Sequence, residues 1–219
     1  MWGSNYTYLV NIHCGDTRIK GVYKPELGEQ PLWDFRENSL AGREVCAYLV
    51  SEAGGWRFVP PTIYRAEGPA GPGSLQLHIE HDPNRHYFTL TPSQRDTLRP
   101  VALFDAVVNN TDRKGGHLII AQADQTIWLI DHGICFHTQP KLRTVIWDFA
   151  GLSLSDAERA QLTALDAKIE PGAPLYQALE LHLNQMELLA LKRRIEHLLT
   201  LGEFPQPTDE RYSYPWPPV

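Results

Sequence analysis

The chain has 219 residues, 42% hydrophobic and 21% charged, which excludes a disordered or fibrous protein and suits one domain with a sizeable core or two small lobes sharing a cleft. A formal net charge of −6 argues against nucleic acid or an anionic membrane as the main partner, since either favours clustered Lys and Arg. Cys14, Cys46 and Cys135 are scattered and fit reduced thiols, Met1 to Asn5 lacks the regions of a signal peptide, and no apolar run approaches bilayer length. The expectation is a cytoplasmic protein with no transmembrane segment.

Tyr6, Tyr8, Val10 and Ile12 alternate with smaller or polar residues, and after Cys14-Gly15-Asp16 a second strand-like run ends at Lys24-Pro25. Pro25 cannot donate to a ladder, so the strand stops there and holds Lys24 at its end. Ser39 is placed to cap a helix from Leu40 to about Ala53, ended by Gly54-Gly55, with Ala41, Val45, Tyr48, Leu49 and Glu52 on one face and Glu44 a step aside. Strands at Pro61 to Tyr64 and Leu75 to Ile79 flank a turn-rich stretch and complete a small, mostly antiparallel lobe over residues 1–80. From His81 the pattern turns helical: Ser93 to Leu98, then Val101 to Asn109 after a break at Pro100.

Two short apolar strands follow, the second ending at Ile130-Asp131, and then an irregular stretch from Lys141 to Leu154. Helices are expected at Ser155 to Ile169, Pro174 to Leu183 and Gln185 to Leu201, so that residues 81–203 form a helical lobe. Lys192-Arg193-Arg194 reads as the solvated face of the last helix. The proline-rich tail, residues 204–219, is expected to be neither helix nor strand and to pack through Tyr214 and Trp216. Trp33, Phe35, Trp147 and Phe149 read as packing aromatics, Trp147 being the one placed to meet a substrate.

A cleft between two such lobes is the default ligand site. In chain order it is offered Lys24, Glu44, Asp112, His117 and Asp131. Phosphoryl transfer needs a cation on the donor phosphates, acids that hold a metal, and an acid that orients the attacking hydroxyl. Lys24 at a strand end reaches phosphates, and Glu44 on the next helix pairs with it. Asp112 follows a helix end, His117 lies five residues on, and Asp131 ends a strand just before Gly133.

Asn110-x-Asp112-Arg113 with Gly115 and Gly116, then Ile130-Asp131-His132-Gly133, resembles the catalytic and metal loops of the phosphatidylinositol 3- and 4-kinase-like superfamily, including HipA-type protein kinases. Val22-Tyr23-Lys24-Pro25, Pro31 to Phe35, Asp112 to His117 and Lys141 to Phe149 are more closely similar to a bacterial family related to those kinases. The resemblance implies an α+β, two-lobed protein-kinase-like fold binding ATP with Mg2+ or Mn2+. By position, Lys24 contacts donor phosphates with Glu44 as its partner, Asp112 is the catalytic acid supported by Arg113, and Asp131 is the principal metal ligand. Ser4 and Asn5 stand in a shortened phosphate loop, Leu77 and Ile79 offer backbone groups to adenine, and Gln76 backs the pocket.

One departure is His117, where the family has an Asn ligand; histidine favours softer cations than Mg2+. The implied activity is an ATP-dependent transfer to an alcohol, with a protein Ser or Thr hydroxyl, the chain's own included, as acceptor. A lipid or small-molecule acceptor and a nucleotide-binding pseudokinase serving as an interaction module stay open. So does a metal site without nucleotide at His117, Asp131, His132 and His137, although it leaves Lys24 and Glu44 without a role.

Overall fold

Alternation in the first segment closes a hairpin: β1 (Tyr8–Cys14) and β2 (Thr17–Pro25) pair antiparallel from Tyr8↔Tyr23 to Cys14↔Thr17. The computed structural model describes residues 6–219. Ser4 and Asn5 therefore lie outside the described residues. With β3 (Thr62–Arg65) and β4 (Gly73–Leu77) the hairpin forms one antiparallel sheet of order β1-β2-β4-β3.

Strand β4 starts two residues earlier than the sequence pattern indicates, because Gly73 pairs with Pro25. A Cβ there would sit 2.4 Å from the Lys24 carbonyl oxygen, so a glycine that reads as turn chemistry serves close strand approach.

Helix α1 (Leu40–Ala53) has the expected bounds but not the expected cap. The Ser39 hydroxyl donates to the Arg36 carbonyl (2.6 Å), while the first helical N–H groups, of Leu40 and Ala41, donate to the Glu29 carboxylate at 3.2 and 2.9 Å. At the other end only Gly55 takes the left-handed conformation (φ 77°); Gly54 is right-handed. The one-faced burial pattern also fails. The helix is wedged between the sheet and the helical half, so Leu40 to Ala47 are buried all round, Tyr48 and Leu49 are partly buried, and Glu52 is exposed.

The helical half holds α2 (Pro92–Asp96), α3 (Arg99–Val108), the strand pair β5 (Leu118–Ile120) and β6 (Ile127–Leu129), α4 (Asp156–Asp166), α5 (Pro174–Leu179) and α6 (Gln185–Leu201). Pro100 does not break a helix; it sits in the first turn of α3, where its missing N–H has no intrahelical partner to lose. Leu103 and Phe104 of α3, Leu162 and Leu165 of α4, and Leu191 and Ile195 of α6 form the fully buried centre. No helix of the described residues is long and apolar enough to cross a membrane.

Three surface expectations are corrected. Arg194 does not point into solvent: its Nε and Nη1 donate to the carbonyls of Val107 and His137, both at 3.0 Å. Trp33 is 93% exposed and meets only the Lys141 ammonium (5.0 Å), whereas Phe149 is buried in the core. The tail contains a short helix, α7 (Glu210–Ser213), in its proline-free stretch. Tyr214 and Trp216 are exposed, and the tail is anchored by backbone instead: the Ser213 carbonyl accepts from Thr144 N–H and Trp147 Nε1–H (both 3.1 Å), and the Pro218 carbonyl from Gly115 N–H (2.7 Å).

Helix α4 is tied to α3 by one carboxylate. Ser155 and Glu158 cap each other reciprocally, and Arg99 donates to both Glu158 oxygens at 2.8 Å. Burial raises the Glu158 pKa, but the Arg99 bonds and the Ser155 N–H outweigh it and hold the carboxyl below its usual range. A depressed folded pKa gives stability that is complete above the unfolded value, about 4.3, and is lost as pH falls through the folded value. Glu158→Gln is expected to destabilise the protein by about 1–3 kcal/mol at neutral pH. Urea unfolding from neutral to acid pH should show the gap to wild type closing below about pH 4.

Candidate active site

The polar loop after α3 is built by two asparagines. Asn109 takes a left-handed conformation (φ 52°), and its side chain donates to the His137 and Gln139 carbonyls (3.0 and 2.8 Å) and accepts from Lys141 N–H (2.9 Å). Asn110 donates to Asp105 (3.1 Å) and accepts from the backbone N–H of Asp112 (3.0 Å). The sharp exit from the helix thus fixes the direction in which Asp112 leaves the loop.

Arg113 faces the opposite way. Its side chain is fully buried, with Nε and Nη2 on the Asp105 carboxylate (2.9 and 3.0 Å), Nη1 on the carbonyls of His117 and Ile130 (3.1 and 3.0 Å), and Nη2 on His132 Nε2 (2.7 Å). It cannot touch a substrate. It joins α3, the loop and the chain around Asp131.

A cleft of about 320 Å³ opens between the sheet and the loop, lined by Lys24, Glu29, Glu44, Asp112, Asp131 and Ile134 among others. The Lys24 ammonium is bonded to Glu44 Oε1 and lies 3.0 Å from Asp131 Oδ1. Glu44 Oε2 accepts from the N–H of His132 (3.0 Å), so α1 is clamped to both β2 and the metal-loop segment. Burial would strip the Lys24 proton, yet Glu44 and Asp131 outweigh it and raise its pKa. Burial likewise opposes charge on Asp131, but Lys24 and then His117 hold its carboxyl below the usual range. Asp131 sits at φ 64°, a left-handed conformation that aspartate tolerates better than most residues and that is common where a chain is bent to present a functional group.

Asp112 differs from Asp131. Burial lifts its pKa above the usual range, and Lys114, whose ammonium is 3.2 Å from Oδ2, only partly offsets this. Two carboxylates of one cleft are thus pushed in opposite directions, the pattern that separates a proton acceptor from a permanently charged ligand.

His117 Nδ1 lies 2.9 Å from the Asp112 carbonyl oxygen and so carries the hydrogen, leaving Nε2 as an acceptor 3.1 Å from Asp131 Oδ2. Burial pushes the ring pKa down to about 4, with Asp131 only partly restoring it, so the ring is neutral at neutral pH. A lone pair facing a carboxylate oxygen is where a cation belongs. The 3.1 Å gap also matches neighbouring ligands of an octahedral ion with bonds of about 2.1 Å, which are about 3.0 Å apart. Among the described residues no three His, Cys, Asp or Glu side chains gather to enclose a metal.

His132 and His137 are not part of this pair. The first is buried with Nε2 on Arg113, and the second bonds the Asp34 carbonyl at 3.1 Å. Gln76, Leu77 and Ile79 do not line the cleft. Gln76 is buried and donates to Thr62 (2.9 Å), Leu77 N–H donates to Pro61 O (2.9 Å), and Ile79 O accepts from His81 (2.8 Å). Three contributors escaped sequence reasoning. Lys114 carries a signal, two residues after Asp112, but Glu29 and Asp105 reach their partners only through the fold.

Asp105→Asn should leave the Arg113 charge buried and under-paired, at a cost of about 3–5 kcal/mol. Denaturant unfolding checks this, and the double substitution Asp105→Leu with Arg113→Met should recover part of the loss, since it removes both charges together.

No model of a known protein family matches the chain. A Fam20 protein of hydra, solved with sugar, superposes with a TM-score of 0.51 at 13% identity, over 90% of this chain and 81% of that one. A Golgi casein kinase solved with Mn/ADP bound gives 0.52 at 12% identity, over 94% and 75%. At such identities the likeness establishes the architecture: the chain has a kinase-like α+β fold with a small antiparallel sheet and a helical lobe. The finer relation to phosphatidylinositol or HipA kinases rests on the motifs alone. Protein Rv2133c of Mycobacterium tuberculosis is 37% identical over 249 residues, covering 98% of this chain and 88% of that protein. The chain belongs to the same family as Protein Rv2133c.

Proposed function

We propose that this protein is an ATP-dependent phosphotransferase of the atypical kinase type, acting on a protein Ser or Thr hydroxyl, its own included. The observation that carries the reading is the Lys24 ammonium held between Glu44 and Asp131 in a cleft that also presents Asp112. Lys24 holds the donor phosphates, and Glu44 keeps it extended from β2. Asp112 accepts the proton of the attacking hydroxyl, for which its raised pKa suits it. Arg113 positions the loop. Residues 1–80 and 81–203 supply the two walls, with 204–219 as a tail.

Asp131 and His117 hold a divalent cation, Mg2+ or Mn2+, which when bound neutralises charge on the phosphates. An imidazole nitrogen among the ligands favours Mn2+ over Mg2+. The Mn/ADP complex of the Golgi casein kinase supports a nucleotide and a divalent ion in a site of this fold. Free thiols at Cys14, Cys46 and Cys135 suit a cytoplasmic setting.

One observation favours a second reading, a nucleotide-binding pseudokinase acting as an interaction module. Asp131 Oδ1 is already engaged by the Lys24 ammonium at 3.0 Å, so phosphate binding to the lysine and cation binding to the carboxylate both have to part this pair.

Incubation with labelled ATP and Mn2+ should give phosphoprotein. Asp131→Ala should abolish the label and Asp112→Asn reduce the rate by roughly 10²–10⁴-fold, while both variants melt near the wild-type temperature. ATP that raises Tm without turnover, in wild type and variants alike, selects the pseudokinase. His117→Ala should lose the Mn2+-induced rise in Tm, whereas a rise that survives places the ion elsewhere.

A further inference from the structure

A second cavity, of about 470 Å³, lies on the helical half between α6, the Lys141-Leu142-Arg143 stretch and the tail. None of the residues assigned to phosphoryl transfer lines it. Its body is apolar, with Leu142, Trp147, Leu198 and Leu201 among its walls. In a protein of net charge −6, its described lining residues include no carboxylate.

The charges of its described lining are cationic, and those of Arg143 and Arg194 meet no carboxylate among the described residues. Arg143 is exposed and makes no side-chain hydrogen bond or ion pair among the described residues. Arg194 forms the opposite wall, and its guanidinium meets only the carbonyls of Val107 and His137, with Nη2 sealed from solvent and unpartnered. Burial pushes its pKa down to about 10, which leaves it charged at neutral pH. His197 adds an exposed imidazole. The fourth basic residue, Lys141, is already committed to Asp34.

We infer that this cavity is a binding site for a small amphipathic anion, one carboxylate or phosphate head against Arg143 and in the field of the Arg194 charge within the wall, with an alkyl or aromatic body on Leu142, Trp147 and Leu198. Charge complementarity selects the head, because an uncompensated arginine at a low-dielectric wall attracts an anion more strongly than one in open water. The volume lies within the range of small-molecule pockets. One of its walls also touches the loop that bears Asp112, and a second is tied to the chain next to that wall. Arg143 exchanges backbone bonds with Asn110 and Arg113 (both 2.9 Å), and Ser213 of the tail holds Thr144 and Trp147. Binding here is independent of the chemistry in the cleft.

Titration calorimetry and thermal shift with octyl phosphate, octanoate and octylamine test the site on the intact chain. Octyl phosphate should bind and raise Tm, octylamine should bind at least tenfold more weakly, and Arg143→Glu, at an exposed position, should weaken octyl phosphate at least tenfold without lowering the Tm of the free protein. Equal affinity for the amine, unchanged binding in Arg143→Glu, or no binding of the monomeric anions overturns the assignment. Sedimentation with phosphatidylserine vesicles in the absence of octyl phosphate binding overturns it as well, in favour of a membrane surface.

Discussion

The buried Arg113–Asp105 pair is the constraint on which the cleft depends. A guanidinium with no solvent exposure is tolerable only if its donors are spent, and Arg113 spends them on a helix carboxylate, two loop carbonyls and an imidazole. The partners lie on three pieces of chain, so α3, the loop after it and the segment carrying Asp131 are fixed relative to one another. Because Arg113 points inward, Asp112 is directed toward the cleft. The asparagines on its N-terminal side do the same work at smaller scale, through hydrogen bonds to backbone groups and to the Asp105 carboxylate.

Across the cleft, the electrostatics are set by one cation held between two carboxylates. Lys24 reaches Glu44 and Asp131 from the end of β2, and Glu44 is itself held by the backbone of His132. Removing the lysine would therefore leave a buried Glu44 unpaired and loosen the tie between sheet and helical half. The pKa directions follow from the same arrangement. Asp131, beside Lys24 and His117, stays ionised, whereas Asp112, with burial opposed chiefly by Lys114, is raised.

Much of this was legible in the sequence because it rests on local rules. Pro25 ended a strand, Pro174 began a helix, and the spacing singled out Asp112 and Asp131, which the fold brings to one cleft, and His117, which faces Asp131. What failed rests on distance. The cap of α1 comes from Glu29 rather than Ser39, since a carboxylate from the preceding loop outcompetes an adjacent hydroxyl for two N–H groups. The burial of α1 on all sides and of Arg194 within a basic run reflects packing against elements far along the chain, which periodicity cannot register. The tail was misread because its aromatic residues were credited with anchoring that its carbonyls perform.

The central claim is that Asp112, Asp131 and His117 surround a transferable phosphoryl group. A structure of the protein with Mn2+ and a non-hydrolysable ATP analogue tests it most directly. The account predicts manganese, identified by its anomalous scattering, bonded to Asp131 and to Nε2 of His117, with the terminal phosphate between Lys24 and Asp112. A nucleotide bound outside this cleft, or a metal that leaves His117 turned toward Asp131 without contact, would contradict it.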